Sequence, residues 1–205
     1  MPDFQEVRAN RVLAKNDRIL TRISGALCSM FPHETTAGVY NMLEEEAGSG
    51  ILGIAEAYKA GVLRIGDLVH TQIIIDLTGL NSSAAGDIIG DDAAANCHLG
   101  KITKARNGTL VAGRMSCLET PAGGEPDIDL YSATESTGTE DAAVTGLTET
   151  ALLDTAADWT AILAPKGLTA LPADGEYLYL VGSGAGTDAT YTAGKFLIEF
   201  WGYSA

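Results

Sequence analysis

The clearest structural signal in this chain is the stretch Lys195–Trp201, which reads KFLIEFW. In an extended backbone alternate side chains point to opposite faces, so Phe196, Ile198 and Phe200 share one face. The opposite face still carries Leu197 beside charged residues. Apolar side chains on both faces are typical of a strand inside a β-sandwich or at a subunit interface. This stretch therefore predicts a buried β-strand.

A second strand of the same character is Glu176–Val181, which reads EYLYLV. Shorter strand patterns recur along the chain after residue 60, and runs rich in Gly, Asn, Ser and Pro separate them. They are Val62–Asp67, Leu68–Leu77, Leu99–Lys104, Thr109–Leu118, Ile128–Ser132 and Ala161–Leu163. Because no regular alternation of strands with helices is present, residues 61–205 are predicted to form a mainly β domain, an antiparallel β-sandwich or jelly roll.

Two connections receive a specific prediction. Asn107-Gly108 is a strong hairpin signal because both residues tolerate positive φ, and it would join Leu99–Lys104 to Thr109–Leu118. The stretch Thr145–Asp158 is ambiguous, since its leucines have helical spacing while its threonines favour strand or loop.

The first 60 residues have a different pattern and are predicted to form an N-terminal arm with short helices. Apolar residues between Ile19 and Met30 share one helical face, and further short helices are predicted over Val39–Ala47 and Ile51–Lys59. Residues 1–25 carry five basic and three acidic side chains, a net charge of 5 − 3 = +2, which leaves −14 − 2 = −16 for the remainder. Such an arm suits an acidic partner surface. Its basic residues are Arg8, Arg11, Lys15, Arg18 and Arg22.

Composition excludes several functional classes. The formal net charge of −14 disfavours binding to nucleic acid or to anionic membranes. No apolar run is long enough to span a membrane, and no secretory signal is expected. The three cysteines have no metal-binding or disulfide spacing, which indicates free thiols in a reducing compartment.

No motif has the spacing that catalysis needs, so the chain is predicted to be neither an enzyme nor a cofactor protein. His33, His70 and His98 are the only histidines, and no GxSxG elbow is present. Cys97 and His98 are neighbours, but neighbours on a strand point to opposite faces.

Acidic residues leave one question open. Hard cations prefer carboxylate ligands, yet no stretch matches a calcium-binding loop, so no metal site is predicted and cation binding by these residues is left undecided. The residues concerned are Asp87, Asp91, Asp92, Asp127 and Asp129.

Large rigid aromatic side chains dominate protein–protein contacts. Trp201 and Tyr203, at the end of an apolar strand, are candidate subunit-interface residues, whereas Trp159 is assigned to the core.

Four phrases of the sequence resemble structural proteins of tailed marine and freshwater phages, including cyanophages. The resemblance covers roughly residues 65–205. The phrases are IDLTGLNSS at 75–83 with DIIG at 87–90, GRMSCLETPAGG at 113–124, DIDLYSATE at 127–135 and YTAGKFLIE at 191–199.

This resemblance implies a capsid cement or decoration subunit on the virion head surface. It implies a jelly-roll-like domain, binding to the major capsid protein, a homo-oligomer expected to be a trimer, and assembly in the bacterial cytoplasm. The basic arm would contact the shell. The alternatives are a tail or head-fibre module, or a small β-sandwich hydrolase or carbohydrate-binding module. Mutual contact among several of His70, His98, Asp127 and Asp129 would favour the hydrolase.

Overall fold

A computed structural model describes residues 47–53, 58–161, 164–184 and 188–204 of the chain, and the structural statements below concern these ranges. The helices predicted for the first 46 residues, and the five basic arm residues, lie outside them. So does most of the strand predicted at Ala161–Leu163.

The described residues are mainly β, as the alternation of apolar residues predicts. Helical structure is confined to a short α-helix α1 (Ser49–Leu52), a short α-helix α2 (Lys104–Asn107) and one 3-10 turn (Val144–Gly146). The strands are β1 (Tyr58–Ile65), β2 (Leu68–Asp76), β3 (Asn81–Ser82), β4 (Asp87–Ile88), β5 (Thr109–Ala122), β6 (Ile128–Ala133), β7 (Glu149–Leu153), β8 (Lys166–Gly167), β9 (Tyr177–Gly182), β10 (Ala189–Thr190) and β11 (Ala193–Tyr203).

These strands form antiparallel sheets. A five-stranded sheet has the order β1-β2-β11-β5-β8, and a four-stranded sheet has the order β4-β9-β6-β7. A two-stranded ribbon pairs β10 with β3. The pairs β2–β11, β4–β9, β5–β8 and β6–β7 are nested along the chain, each lying inside the preceding one.

The two large sheets bury one continuous hydrophobic core. In β11, Phe196, Ile198 and Phe200 are fully buried, as their shared face predicts. Trp159, assigned to the core from sequence, is 1% exposed, packs edge-on against Phe196 at 5.4 Å and donates its indole N–H to the Ile128 carbonyl oxygen at 2.8 Å. Alternation in the strands therefore places one face of each on a shared core.

The prediction of a hairpin at Asn107-Gly108 is wrong. Residues 99–103 form no extended strand and contribute only an isolated bridge from Lys101 to Tyr177, and α2 follows directly. The helical turn ends at Asn107 because Gly108 follows with φ +70°. The Asn107 side-chain oxygen accepts the Thr103 N–H at 2.8 Å, and its amide donates to Thr71 Oγ1 at 2.9 Å. A buried side-chain network takes the place of a β-turn.

The predicted helix Ile51–Lys59 is also wrong in extent. Helix α1 ends at Leu52, and Tyr58 and Lys59 already belong to β1. Strand β1 therefore begins three residues before the predicted start of the β domain at residue 61. It pairs with β2 from Tyr58↔Ile75 onward, and this pairing outweighs a short helical pattern that cannot stabilise itself.

The ambiguous stretch Thr145–Asp158 contains a strand, β7, which pairs with β6. Strand β2 agrees closely with its prediction. Strands β5, β6, β9 and β11 include most of the residues assigned to them, although β5 and β11 extend further.

Candidate functional site

The side of the five-stranded sheet that points away from the core is the most unusual surface of the described structure. We call it the outer face and define it by residues of β1, β2, β11 and β5 that alternate with core residues. Five of the exposed large hydrophobic side chains lie there, namely Ile65 (53% exposed), Leu68 (47%), Ile74 (41%), Leu118 (46%) and Tyr203 (48%).

Strand register explains why these side chains lie together. Leu68 pairs with Ile65 on one side and with Tyr203 on the other, so the three form one row across the sheet. Ile74 pairs with Leu197, which is half-buried, in a second row. Contiguous apolar surface of this kind marks contact sites in proteins.

A charged cluster occupies the centre of the outer face. Glu199 is 3% exposed, although it points away from the core. Arg114 Nε donates to Glu199 Oε2 at 2.5 Å, and His70 Nε2 lies 3.0 Å from Glu199 Oε1. Because a buried carboxylate needs partners on both oxygens, these contacts hold the three side chains in one arrangement.

The pKa of Glu199 reflects this arrangement. Burial raises the pKa, but the hydrogen bond and positive charge of Arg114 outweigh that effect, with smaller contributions from Gln72 and His70. The net result is a pKa below the ordinary value for a glutamate. Glu199 is therefore anionic at neutral pH.

Trp201 lies over the same cluster. Its ring stacks on His70 with the centroids 4.9 Å apart and the planes 11° from parallel. The Arg114 guanidinium carbon lies 5.0 Å from the centroid of the indole, in cation–π geometry. The indole is half-buried and fixed in position, whereas Tyr203, two residues later on the same face, is 48% exposed. Both predicted interface aromatics thus belong to the outer face.

The end of the face beyond Leu197 carries a surface ion-pair network. Lys195 Nζ lies 3.1 Å from Asp76 Oδ2 and 3.8 Å from Glu119 Oε2. Burial alone would raise the pKa of Asp76, but hydrogen bonds from Thr78 and the nearby Lys195 hold it below the ordinary value. Exposed pairs of this kind contribute little to stability.

Asp127 and Asp129, two of the acidic residues for which cation binding was left undecided, link the segments around Thr155 and Ser183 to the start of β6. Asp129 accepts the Thr155 N–H at 2.7 Å and the Ser183 hydroxyl, and Asp127 accepts the Thr155 hydroxyl. Burial raises the pKa of Asp129, and the nearby acidic residues add to that effect despite its hydrogen bonds. Across the described ranges, no group of three or more His, Cys, Asp or Glu side chains is arranged to hold a metal ion.

The residues that would favour a hydrolase are distributed over separate parts of the fold. His70 contacts Glu199 on the outer face, whereas His98 packs against Tyr177 with the ring centroids 4.8 Å apart. The Cys97 thiol donates to the Ala94 carbonyl oxygen at 3.3 Å, and burial raises its pKa to about 11. A thiol with this pKa is protonated at neutral pH and is a poor nucleophile.

Sequence reasoning missed Arg114 and Glu199. Part of their signal was present, because each is a charged residue flanked by apolar or small residues in the middle of a strand. What the sequence lacked was the register that pairs Glu199 with Arg114 across β11 and β5.

None of the helices within the described ranges is sufficiently long and apolar to span a bilayer. Comparison of the chain with protein-family models, with curated proteins and with solved structures finds no match.

Proposed function

We propose that this protein is a structural subunit of a phage virion, of the cement or decoration type, which binds and stabilises the head shell. The observation that carries the proposal is the outer face, a fixed aromatic and charged centre surrounded by exposed apolar side chains. A cement subunit works by contact area rather than by catalysis, and this surface supplies contact area.

The strand pairing supports the fold that the sequence resemblance implies. If β1 and the small β3–β10 ribbon are set aside, eight strands remain, and the first pairs with the last, the second with the seventh, the third with the sixth and the fourth with the fifth. A long antiparallel hairpin rolled into two sheets has this pairing, and we infer a jelly roll. This architecture occurs in viral capsid and lectin domains. A role in a shell is compatible with this architecture.

Shell binding is assigned to the N-terminal segment and association of copies to the outer face. The basic residues of the segment meet an acidic shell surface in this proposal, with the major capsid protein as partner. They are Arg8, Arg11, Lys15, Arg18 and Arg22.

Cryo-electron microscopy of purified virions tests the proposal directly. The expected result is density for this chain on the outside of the head shell. A head shell that lacks this chain, or its presence only in the tail, contradicts the proposal.

A binding assay with purified shells tests the electrostatic part. Replacing Arg8 and Arg11 together by Gln should weaken binding, and the loss should shrink at high salt because screening already weakens the wild type. The matched control replaces Lys104 and Arg106, two exposed basic residues of the β domain, by Gln. Equal losses in both variants would show that the N-terminal position has no special role.

A further inference from the structure

We infer that the outer face packs against the outer face of a second copy of this chain. The inference rests on the proposed function only in treating this face as a protein-contact surface. It requires neither a shell nor a virion. The charge, the size and the side chains of the face together identify a second copy as the partner.

Within the part of the chain that the structure describes, the exposed apolar side chains of the outer face do not belong to the hydrophobic core. The inner face of the same sheet already closes the core, with Val69, Ile73 and Ile75 of β2 fully buried. Ile74, between two of these, is 41% exposed. Each exposed side chain of this size gains free energy when a partner removes it from water.

Charge identifies the partner. The chain as a whole carries a net charge of −14, so most of its surface repels a second copy. The outer face differs, because the strands that form it place three basic side chains against three acidic ones, and 3 − 3 = 0. They are Lys59, Arg114, Lys195, Asp76, Glu119 and Glu199.

A neutral apolar face fits another neutral apolar face. A basic partner would gain nothing here, since the carboxylates of Glu199 and Asp76 are already paired with Arg114 and Lys195. The outer face of a second copy has the matching property. Contact between identical faces is two-fold symmetric, so it gives a dimer in place of the trimer that the sequence resemblance implies.

The size of the face predicts a weak complex. Four strands about 4.8 Å apart and about nine residues long cover roughly 19 by 30 Å, or about 550 Å² per copy. The total of about 1,100 Å² lies at the lower end of specific interfaces. Association should therefore depend on concentration, and it should become effective where subunits are held close together on a surface.

The centre of the face holds side chains suited to anchor such a contact. Trp201 is held between His70 and Arg114, so little side-chain freedom remains to be lost on binding. Tyr203 and Leu68 stand beside it in the exposed row. Tryptophan, tyrosine and arginine are the residues that most often dominate interface energetics.

Sedimentation equilibrium of the purified full chain over a range of concentrations tests the inference. A monomer–dimer equilibrium is expected, and Ile74→Glu should raise the dimer Kd about tenfold or more because the contact would bury an unpaired charge. Leu52→Glu is the matched control, because Leu52 is 39% exposed but lies on α1, away from the face. Its Kd should stay within about twofold of the wild type. If Ile74→Glu does not fold, Leu68→Glu at the β1–β2 turn replaces it.

Salt dependence separates the second copy from other partners. Two copies of net charge −14 repel at long range, so raising the salt concentration should strengthen the dimer, whereas contact with an oppositely charged patch would weaken. A chain that remains monomeric at all concentrations and salts overturns the inference. So does a trimer, or a dimer that tolerates both Ile74→Glu and Leu68→Glu. None of these results bears on shell binding, which the virion and shell experiments decide.

Discussion

Glu199 shows how one residue can combine stability with surface recognition. Its strand is the middle strand of the five-stranded sheet, and its side chain points outward, yet it is only 3% exposed and has His70 and Arg114 against its two oxygens. Without Arg114 and His70, the buried carboxylate would keep only its hydrogen bond with Gln72. The cluster therefore fixes the orientation of Trp201, the candidate interface anchor.

Replacing Glu199 by Gln should lower the free energy of unfolding at pH 7 by about 1–3 kcal/mol, since a charged hydrogen bond is lost and Arg114 is left without its anion. The pKa of Glu199 is lower in the folded state than in the unfolded state. Its contribution is therefore complete above the unfolded pKa of about 4.3 and is lost as the pH falls through the folded pKa. Urea unfolding of both proteins from pH 7 downward should show their difference shrinking in acid.

The control for this prediction is Glu119→Gln on the same face. Glu119 is largely exposed and lies 3.8 Å from Lys195, so its loss should change stability by less than about 0.5 kcal/mol. A difference between wild type and Glu199→Gln that is constant with pH would show that packing rather than charge is responsible.

Asp129 should show the opposite pH trend. Its pKa is raised in the folded state by burial, with Asp154 and Asp127 adding to the effect and Ser183 and Thr155 opposing it. Above the folded pKa the buried carboxylate is charged, and this charge makes the folded state less stable. The destabilisation decreases as the pH falls below the folded pKa, and it is absent below the unfolded pKa. Asp129→Asn has no such penalty. Wild type should therefore gain stability relative to Asp129→Asn on acidification in the same urea experiment, and a parallel loss in both proteins would contradict the assignment.

The turns between elements depend on individual glycines. Gly108, at φ +70°, follows α2 and begins the path into β5, and a Cβ there would approach the Tyr203 carbonyl oxygen to 2.6 Å. The backbone of β11 cannot move away without breaking its pairing with β5. The junction of α2, β5 and β11 thus requires glycine for two reasons, conformation and space.

Gly108→Ala should reduce the free energy of unfolding by about 3 kcal/mol or more, because strain in φ and a backbone clash add together. Gly66→Ala is the matched control, since Gly66 has φ +60° in the β1–β2 turn but open space around its Cβ position. It should cost only about 1–2 kcal/mol. Urea denaturation of the two variants measures the difference, and equal losses would show that the contact with Tyr203 relaxes easily.

Sequence predicts well the strands whose pattern of apolar residues matches the burial of their two faces. Strands β9 and β11 carry apolar residues on both faces and were found near their predicted bounds. The hairpin prediction at Asn107-Gly108 failed because Asn107 is held by a buried contact with Thr71, 36 residues away, which leaves no local pattern. The cluster around Glu199 was missed for a related reason, since it requires a register between distant strands.

At the scale of the whole molecule, the nested pairing makes folding depend on residues far apart in the chain. Strand β11 lies between β2 and β5, and it pairs with β2 from Lys195 to Tyr203. Each of the two remaining parts of the sheet, β1–β2 and β5–β8, would be too small to be stable alone. Long-range pairing of this kind also makes folding slow compared with helical proteins.

A chain that ends at Thr192 should therefore lack a cooperative unfolding transition. Removing β11 exposes the inner faces of β2 and β5 and deletes Phe196, Ile198 and Phe200 from the core. By the usual cost of truncating such side chains, losing these three costs about 8–15 kcal/mol, which is comparable to the total stability of an ordinary domain, about 5–15 kcal/mol. Circular dichroism during thermal and urea unfolding measures the transition. A chain that ends at Tyr203 is the control. Of the described contacts it loses those of Ser204 with the Asp67 carbonyl oxygen, from the N–H at 2.8 Å and from the hydroxyl at 3.5 Å, and it should unfold like the full chain. Cooperative unfolding of the shorter chain would show that the four-stranded sheet folds independently and that the two sheets are not one unit.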